Sequence, residues 1–370
     1  MGKEMVALVL AGGKGTRLEG LTKKTSKPAV NFGGKYRIID FVLSNCANSG
    51  VRQVGILTQY ESVELTNYCS SGHHWGFDGS NCQFSILSPR QKEDGNHWYE
   101  GTADAVFQNL DYLESIDPEY VMILSSDHIY KMNYDKVLHF AIKEDADLVI
   151  TCLEVDEKDV SRFGILTLDE NYRLKTFIEK PKESTSKMAS MGIYCFKYKT
   201  MKDVLNKLSK EIGTLDFGKH VIPYLLNKNK RVFGYPFYGY WRDVGTIESL
   251  WRANMDLIDD DEALDLYNHF SGFKIYTEDT KSLPQYIGSN ASIKNSMVNQ
   301  GSIIYGKVTH SVIFDGVEIG EGTIVENSVI MPGVKIGKNA VIKNCIIYQR
   351  LKIKDDRIVN DGNKIVLINN

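Results

Sequence analysis

The shortages in this sequence narrow the field before any motif is considered. Its 370 residues include 8 prolines and 6 cysteines. Cys46, Cys69, Cys82, Cys152, Cys195 and Cys345 form no CxxC pair and no zinc-like spacing, so buried free thiols in a reducing, cytoplasmic compartment are expected. No stretch approaches the roughly 20 apolar residues that a membrane span requires. Met1–Leu10 has a charged start but no small-residue cleavage site, so a signal peptide is not expected. Neither charge sign dominates. With 44 Lys+Arg against 47 Asp+Glu the formal charge is −3, which leaves no electrostatic footprint for nucleic acid or an anionic membrane. Disorder is excluded as the dominant state by 42% hydrophobic residues, enough apolar surface to build a core.

What is plentiful is glycine, 31 residues against the 8 prolines, and its placement carries information. Fourteen lie in residues 1–101, none in 102–163, seven in 164–245 and ten in 272–362. Over the first 250 residues, short apolar runs alternate with helix-like segments. Val6–Leu10, Gln53–Leu57, Tyr120–Leu124 and Asp147–Val155 read as strands. Ile38–Cys46 reads as a helix stopped at Asn48-Ser49-Gly50, and Ala103, Val106, Leu110 and Leu113 recur on one helical face. This alternation predicts an α/β domain with a mostly parallel sheet, whose ligands bind beyond the carboxyl ends of the strands. The residues after Leu10 and Leu124 are therefore the first candidates.

The texture changes after about residue 255. Asp259-Asp260-Asp261-Glu262 reads as a solvated helix start or connector. From Ile287, aliphatic residues fall six apart: Ile287 and Ile293; Ile313, Ile319, Val325 and Met331; Ile336, Ile342 and Tyr348. Hexads predict a left-handed parallel β-helix, each turn three short strands joined by tight corners. Phase breaks between the series predict loops interrupting the coil. The expected division is a catalytic domain over 1–255, a linker over 256–286 and the coil over 287–370. All four tryptophans, Trp75, Trp98, Trp241 and Trp251, lie before the coil, which places the chemistry upstream.

Leu10-Ala11-Gly12-Gly13-Lys14-Gly15-Thr16-Arg17-Leu18 follows the first strand. It is neither a P-loop nor a complete dinucleotide fingerprint, since Leu18 takes the third glycine position. Three positions without side chains let backbone amides approach phosphate oxygens, and Lys14 and Arg17 add positive charge. The string LAGGKGTRL resembles the signature of nucleotide-sugar pyrophosphorylases. Ser26-Lys27-Pro28-Ala29-Val30 continues it. Gly33-Gly34-Lys35-Tyr36-Arg37-Ile38-Ile39-Asp40-Phe41, Trp98-Tyr99-Glu100-Gly101-Thr102-Ala103-Asp104-Ala105, Ala189-Ser190-Met191-Gly192-Ile193-Tyr194 and Tyr240-Trp241-Arg242-Asp243-Val244-Gly245-Thr246 resemble the glucose-1-phosphate adenylyltransferase branch of that family. The matches run in consistent order from residue 8 to about 256, and a β-helix tail suits the same branch.

The resemblance implies a Rossmann-like nucleotidyltransferase domain that makes ADP-glucose and pyrophosphate from ATP and glucose 1-phosphate with Mg²⁺, for glycogen or another α-glucan. It implies Arg17, Lys27, Asp127 and Lys180 as catalytic groups. Gly12, Gly13, Gly15, Thr16 and Arg17 would hold ATP. Tyr99, Gly164, Glu179, Lys180 and Ser190 would line the glucose 1-phosphate pocket, and Gln59 and Trp98 would carry regulatory signals. Asp127 and Asp243 match the metal-binding aspartates, and two carboxylates suit a Mg²⁺ that keeps several waters. Out of this context, an Asp after a strand reads as a helix cap, a Glu-Lys pair as a surface ion pair, and Trp98 as loop packing. One departure is Ser126, where the family usually has glycine.

Two other readings stay open from sequence: a sugar-1-phosphate transferase using another nucleoside triphosphate, and a weakly active or non-catalytic regulatory subunit of a hetero-oligomer. Acyl transfer by the coil is disfavoured, because the coil is short and His310 is its single histidine. The resemblance implies a homotetramer acting on small-molecule substrates, with no nucleic acid or membrane partner.

Overall fold

The computed structural model describes residues 5–13, 15–92, 95–96, 98–259, 261–266, 268, 272–360 and 362–369. Lys14 of the glycine loop and Asp260 of the acidic run lie outside the described residues. The first domain is built on nine strands: β1 (Met5–Ala11), β2 (Gln53–Thr58), β3 (Gln83–Leu87), β4 (Tyr120–Ser125), β5 (Leu148–Glu154), β6 (Gly164–Leu168), β7 (Leu174–Glu179), β8 (Met188–Lys197) and β9 (Val232–Pro236). Their order is β7-β6-β8-β4-β1-β2-β3, with β5 paired to both β8 and β9. The run β3-β2-β1-β4 is parallel, as is β5 with β9. β8 is antiparallel to β4, β5 and β6. The sheet is thus mixed, with a parallel half on the side of the glycine loop.

Alternation of side chains along β1 explains why this strand is apolar throughout. Ala7 and Val9 enter one core with Ile39, Val42 and Leu43 of the helix Ile38–Asn48 and Val137 and Leu138 of the helix Tyr134–Lys143. Val6 and Leu8 enter a second core with Ala103, Val106, Leu113, Met201 and Leu205. Helices therefore cover both faces. Ala103, Val106, Leu110 and Leu113 are all buried as their spacing predicts, but on two helices, Thr102–Phe107 and Leu110–Ile116. The break falls where Asn109 turns its side-chain amide back onto the Ala105 carbonyl at 2.8 Å, and Arg90 binds the Gln108 carbonyl at 3.2 Å. Side chain and neighbouring strand loop compete there with the helical ladder.

Residues 286–368 wind into three five-stranded parallel sheets, the arrangement expected of a left-handed β-helix. Most turns contain 17 residues, seen in Ile324 pairing with Val341 and Val341 with Ile358. Strand starts at Glu318, Ile324, Val329, Lys335 and Val341 show two corners stepping by six residues and one by five. The short corner turns on a residue of positive φ: Asn295, His310, Asn327 and Asn344 at 40°, 45°, 51° and 48°. Asparagine reaches this left-handed region at little cost. The phase breaks expected to be loops are therefore mainly this recurrent five-residue corner. A longer excursion occurs before the last strand, where Cys345 pairs with Val366.

The coil shares a core with the first domain. Val312, Phe314, Val329, Met331 and Ile346 pack with Leu18, Leu21, Phe32, Phe41 and Leu250. Trp251 in the helix Ile247–Asp259 donates Nε1–H to the Asn327 carbonyl at 3.0 Å, and His310 Nε2 lies 2.7 Å from Asp259 Oδ1. The intervening chain lies along the helix Ile38–Asn48, where Asn48 binds the Lys274 carbonyl at 2.9 Å and Ser44 Oγ accepts from the Tyr276 amide at 2.8 Å. Phe314 is fully buried in this junction. Phe314→Ala is expected to cost about 3–5 kcal/mol, read as a lowered urea midpoint; an unchanged midpoint would show that the junction core contributes nothing. Among the described residues, no helix is long and apolar enough to cross a membrane.

Candidate active site

Because β1 and β4 are parallel neighbours, with Leu10 paired to Ser125, their carboxyl ends open side by side. A cleft of about 600 Å³ lies there, lined by Gly12, Gly13, Gly15, Thr16 and Arg17 of the loop after β1 and by Asp127 after β4. Gly15 has φ +60°, and its carbonyl accepts hydrogen bonds from the Leu18 amide and Thr22 hydroxyl, both at 2.9 Å. A Cβ at Gly15 would sit 3.0 Å from the Lys27 Cβ. Only glycine combines this turn with so close a neighbour.

Lys27 opens the 3₁₀ turn Lys27–Ala29, and its side chain is buried. Its ammonium donates to Asp127 Oδ2 at 2.8 Å and to Asp243 Oδ1 at 3.2 Å, bridging carboxylates from distant segments. Asp243 ends the short strand Trp241–Asp243, which pairs antiparallel with His128–Tyr130, so Asp243 faces His128 in register. Ser125 Oγ donates to Asp127 Oδ1 at 2.5 Å, His128 Nε2 lies 3.2 Å from that oxygen, and Arg162 Nη2 binds Asp243 Oδ2 at 2.7 Å. Burial opposes ionisation of Asp127, but the charges of His128 and Lys27 outweigh it and hold the carboxyl well below the usual range. Gly245 is pressed between Asp243 and Arg17: a Cβ there would lie 2.9 Å from Asp243 Oδ1 and 3.0 Å from Arg17 Nη2.

Asp127, His128 and Asp243 offer ligand atoms within 4.8 Å of one another. Two carboxylates, Asp127 lining the cleft and Asp243 bound to the same ammonium, fit a hard divalent cation. Ser126 is 2% exposed and donates its hydroxyl to the Leu10 carbonyl at 2.6 Å. Its side chain ties β4 to β1, so the extra Cβ and hydroxyl are spent on the framework.

A second group lies at the end of β7. Gly164 and Glu179 are partners in the β6–β7 ladder. Added Cβ atoms at Gly164 and Gly218 would lie 2.9 and 2.5 Å from Glu179 Oε2, so both glycines make room for this carboxylate. Burial raises its pKa, opposed by Lys180, whose ammonium is 3.6 Å away. Lys180 adopts φ +48°, and its amide donates to the Phe163 carbonyl at 3.1 Å. Asp216 connects the two groups: it lines the cleft and its charge acts on Glu179.

Tyr99 and Gln59 also line the cleft. The Gln59 amide group donates to the Tyr99 carbonyl at 3.2 Å and accepts from the Tyr99 amide at 3.0 Å. Beside it, the exposed Trp98 stacks on Tyr60 at 6.2 Å with the rings 12° from parallel. Ser190, 8% exposed within β8, follows Ala189, which pairs with Ile165 next to Gly164, and its Oγ accepts from the Gly192 amide at 3.2 Å. The residues missing from the sequence-based site are Ser125, His128, Arg162 and Asp216. Ser125 and His128 flank Asp127 in sequence and could have been read with it; Arg162 and Asp216 carry no spacing signal.

A family profile described as "Nucleotidyl transferase" matches residues 6–260. The chain is 50% identical over 324 residues, 87% of its length, to a glucose-1-phosphate adenylyltransferase of Clostridium acetobutylicum, covering 85% of that protein. The chain belongs to the glucose-1-phosphate adenylyltransferase family. A Bacillus subtilis protein of the same name is 49% identical over 326 residues, covering 88% of this chain and 85% of that protein. A second profile, "GlmU-like, C-terminal hexapeptide", matches residues 280–363, in agreement with the coil. The glycine loop, Lys27 and Asp127 line one cleft, Asp243 joins them through the Lys27 ammonium, and Glu179 is linked to the cleft through the charge of Asp216.

Proposed function

We propose that this chain transfers the adenylyl group of ATP to glucose 1-phosphate, giving ADP-glucose and pyrophosphate as the activated glucose donor for glycogen or a similar α-glucan. The observation that supports this reading is the convergence of the glycine loop, Arg17, Lys27 and Asp127 on one cleft, with Asp243 held to the same Lys27 ammonium and Glu179 coupled to the cleft through Asp216. In the reaction, a phosphate oxygen of glucose 1-phosphate bonds to the α-phosphorus of ATP while the bond from that phosphorus to the bridging oxygen breaks. Pyrophosphate leaves with the electron pair. The nucleophile is already anionic, so no strong base is required; the difficulty is to bring anions together.

The glycine loop and Arg17 hold the triphosphate, and Lys27 neutralises the leaving pyrophosphate. Lys180 holds the sugar phosphate, while Glu179 accepts hydrogen bonds from the sugar hydroxyls. Tyr99, Gly164 and Ser190 shape that pocket. Asp127 and Asp243 would hold Mg²⁺, which when bound neutralises charge on the phosphates. Gln59 and Trp98 relay regulatory signals, supported by the double hydrogen bond from Gln59 to the Tyr99 backbone. The protein is a cytoplasmic homotetramer in this reading, with residues 1–255 catalytic, 256–286 linking and 287–370 forming the coil.

The test is pyrophosphate release by the purified chain with glucose 1-phosphate, Mg²⁺ and each of ATP, UTP and dTTP. Release with ATP is expected. Release solely with UTP or dTTP would overturn the choice of nucleotide, and release solely after adding a second type of subunit would make this chain a regulatory one.

A further inference from the structure

Every oxygen of the Asp127–Asp243 pair is already engaged. Asp127 Oδ2 and Asp243 Oδ1 share the Lys27 ammonium at 2.8 and 3.2 Å. Asp127 Oδ1 accepts from Ser125 and lies 3.2 Å from His128 Nε2, and Asp243 Oδ2 accepts from Arg162 at 2.7 Å. Lys27 and Arg162 supply the cationic partners of the pair, and Arg162 is shared with Asp159 at 3.0 Å. A divalent cation reaching this pair alone would have to displace an ammonium whose side chain is 6% exposed. It would leave that ammonium buried without a carboxylate, an unfavourable exchange.

The exchange changes once a triphosphate lies in the cleft. Lys27 lines the same wall as Gly12, Gly13, Gly15 and Arg17. Its Cβ is set against Gly15, and Pro28 fixes the turn that follows. With the stem held, the flexible outer methylenes can turn the ammonium from the carboxylates to phosphate oxygens without exposing it. We propose that Lys27 is a placeholder cation: it occupies the carboxylate pair in the free protein and vacates it when nucleotide phosphates arrive, so that the pair takes up a divalent cation together with the nucleotide and not before. This inference rests on the reading of Asp127 and Asp243 as the cation ligands. It adds to that reading an order of events and a second task for Lys27.

Mn²⁺ binding, followed by the electron paramagnetic resonance of free Mn²⁺, tests it without turnover. The full chain, Lys27→Met, Asp127→Asn and the double variant are each titrated with and without α,β-methylene-ATP. Without nucleotide, the parent is expected to bind Mn²⁺ weakly. Lys27→Met is expected to bind it at least about tenfold more tightly, given the size of close charge-pair couplings, and the double variant should lose that gain. Equal affinities of the parent and a folded Lys27→Met without nucleotide would overturn the placeholder role. Should Lys27→Met not fold, tight Mn²⁺ binding by the nucleotide-free parent that Asp127→Asn abolishes would overturn it equally. A failure of the underlying reading is distinguishable: Mn²⁺ binding in the presence of α,β-methylene-ATP would then be insensitive to Asp127→Asn.

Discussion

Asp127→Asn is expected to lower turnover by about 10³-fold or more, comparable with or beyond the loss of one preorganised electrostatic contact in other enzymes. Asparagine keeps the size of the side chain and can still accept the Ser125 hydrogen bond, so the change removes charge with little loss of packing. That charge is secured in the folded protein: His128 and Lys27 hold the carboxyl well below its usual range against the opposing effect of burial. The substitution leaves Lys27 with Asp243 as its remaining carboxylate partner and leaves one carboxylate for the cation. The measurement is single-turnover adenylyl transfer at saturating ATP, with circular dichroism and the unfolding midpoint as controls. A folded variant within tenfold of the parent rate would refute the role given to Asp127.

The strands that build this site were legible because burial on both faces makes them apolar without interruption. β1 and β4 extend over Met5–Ala11 and Tyr120–Ser125, against Val6–Leu10 and Tyr120–Leu124 from sequence. The glycine loop was legible for a related reason, since it follows β1 directly and sets Lys14 and Arg17 among three glycines. The helix break at Gln108–Asn109 was not legible. It depends on Arg90, which reaches across from the end of β3, and periodicity carries no information about such a partner. The coil was legible as hexads but not as a 17-residue turn. The missing residue is absorbed by a left-handed corner that asparagine or histidine can fill, so the aliphatic pattern slips without any insertion.

The site was legible in its charged residues and less so in what holds them. Lys27, Asp127 and Asp243 were each singled out, but their mutual contact depends on the antiparallel pairing of Trp241–Asp243 with His128–Tyr130. A local pattern does not reveal that pairing. Arg162 illustrates the same gap. It precedes Phe163 and Gly164, whose neighbours are Lys180 and Glu179, and its guanidinium binds Asp243. One short segment thus touches the Glu179–Lys180 group through its backbone and the Asp127–Asp243 pair through its side chain, which ties the two groups together.

Lys180→Met provides the complementary prediction on the sugar side. The Lys180 side chain is 63% exposed and its ammonium stands 3.6 Å from Glu179 Oε1, a weak exposed pair whose loss should leave stability nearly unchanged. Methionine preserves an unbranched stem without the charge. If Lys180 binds the phosphate of glucose 1-phosphate, KM for that substrate should rise by about 10²-fold, the upper range for a charge-assisted hydrogen bond. The KM for ATP and kcat should change little, because the contact is made in both the ground and transition states. A further consequence concerns Glu179. Burial raises its pKa and Lys180 opposes the rise, so removing Lys180 moves the carboxyl higher still. Glu179 then becomes the hydrogen-bond-accepting carboxylate at a higher pH than in the parent, and the KM defect should shrink as pH increases. Lys180→Arg, which keeps the charge, should recover most of the affinity. An unchanged KM for glucose 1-phosphate in Lys180→Met would remove Lys180 from the sugar-phosphate site, and a fall in kcat at constant KM would place its contribution in the transition state instead.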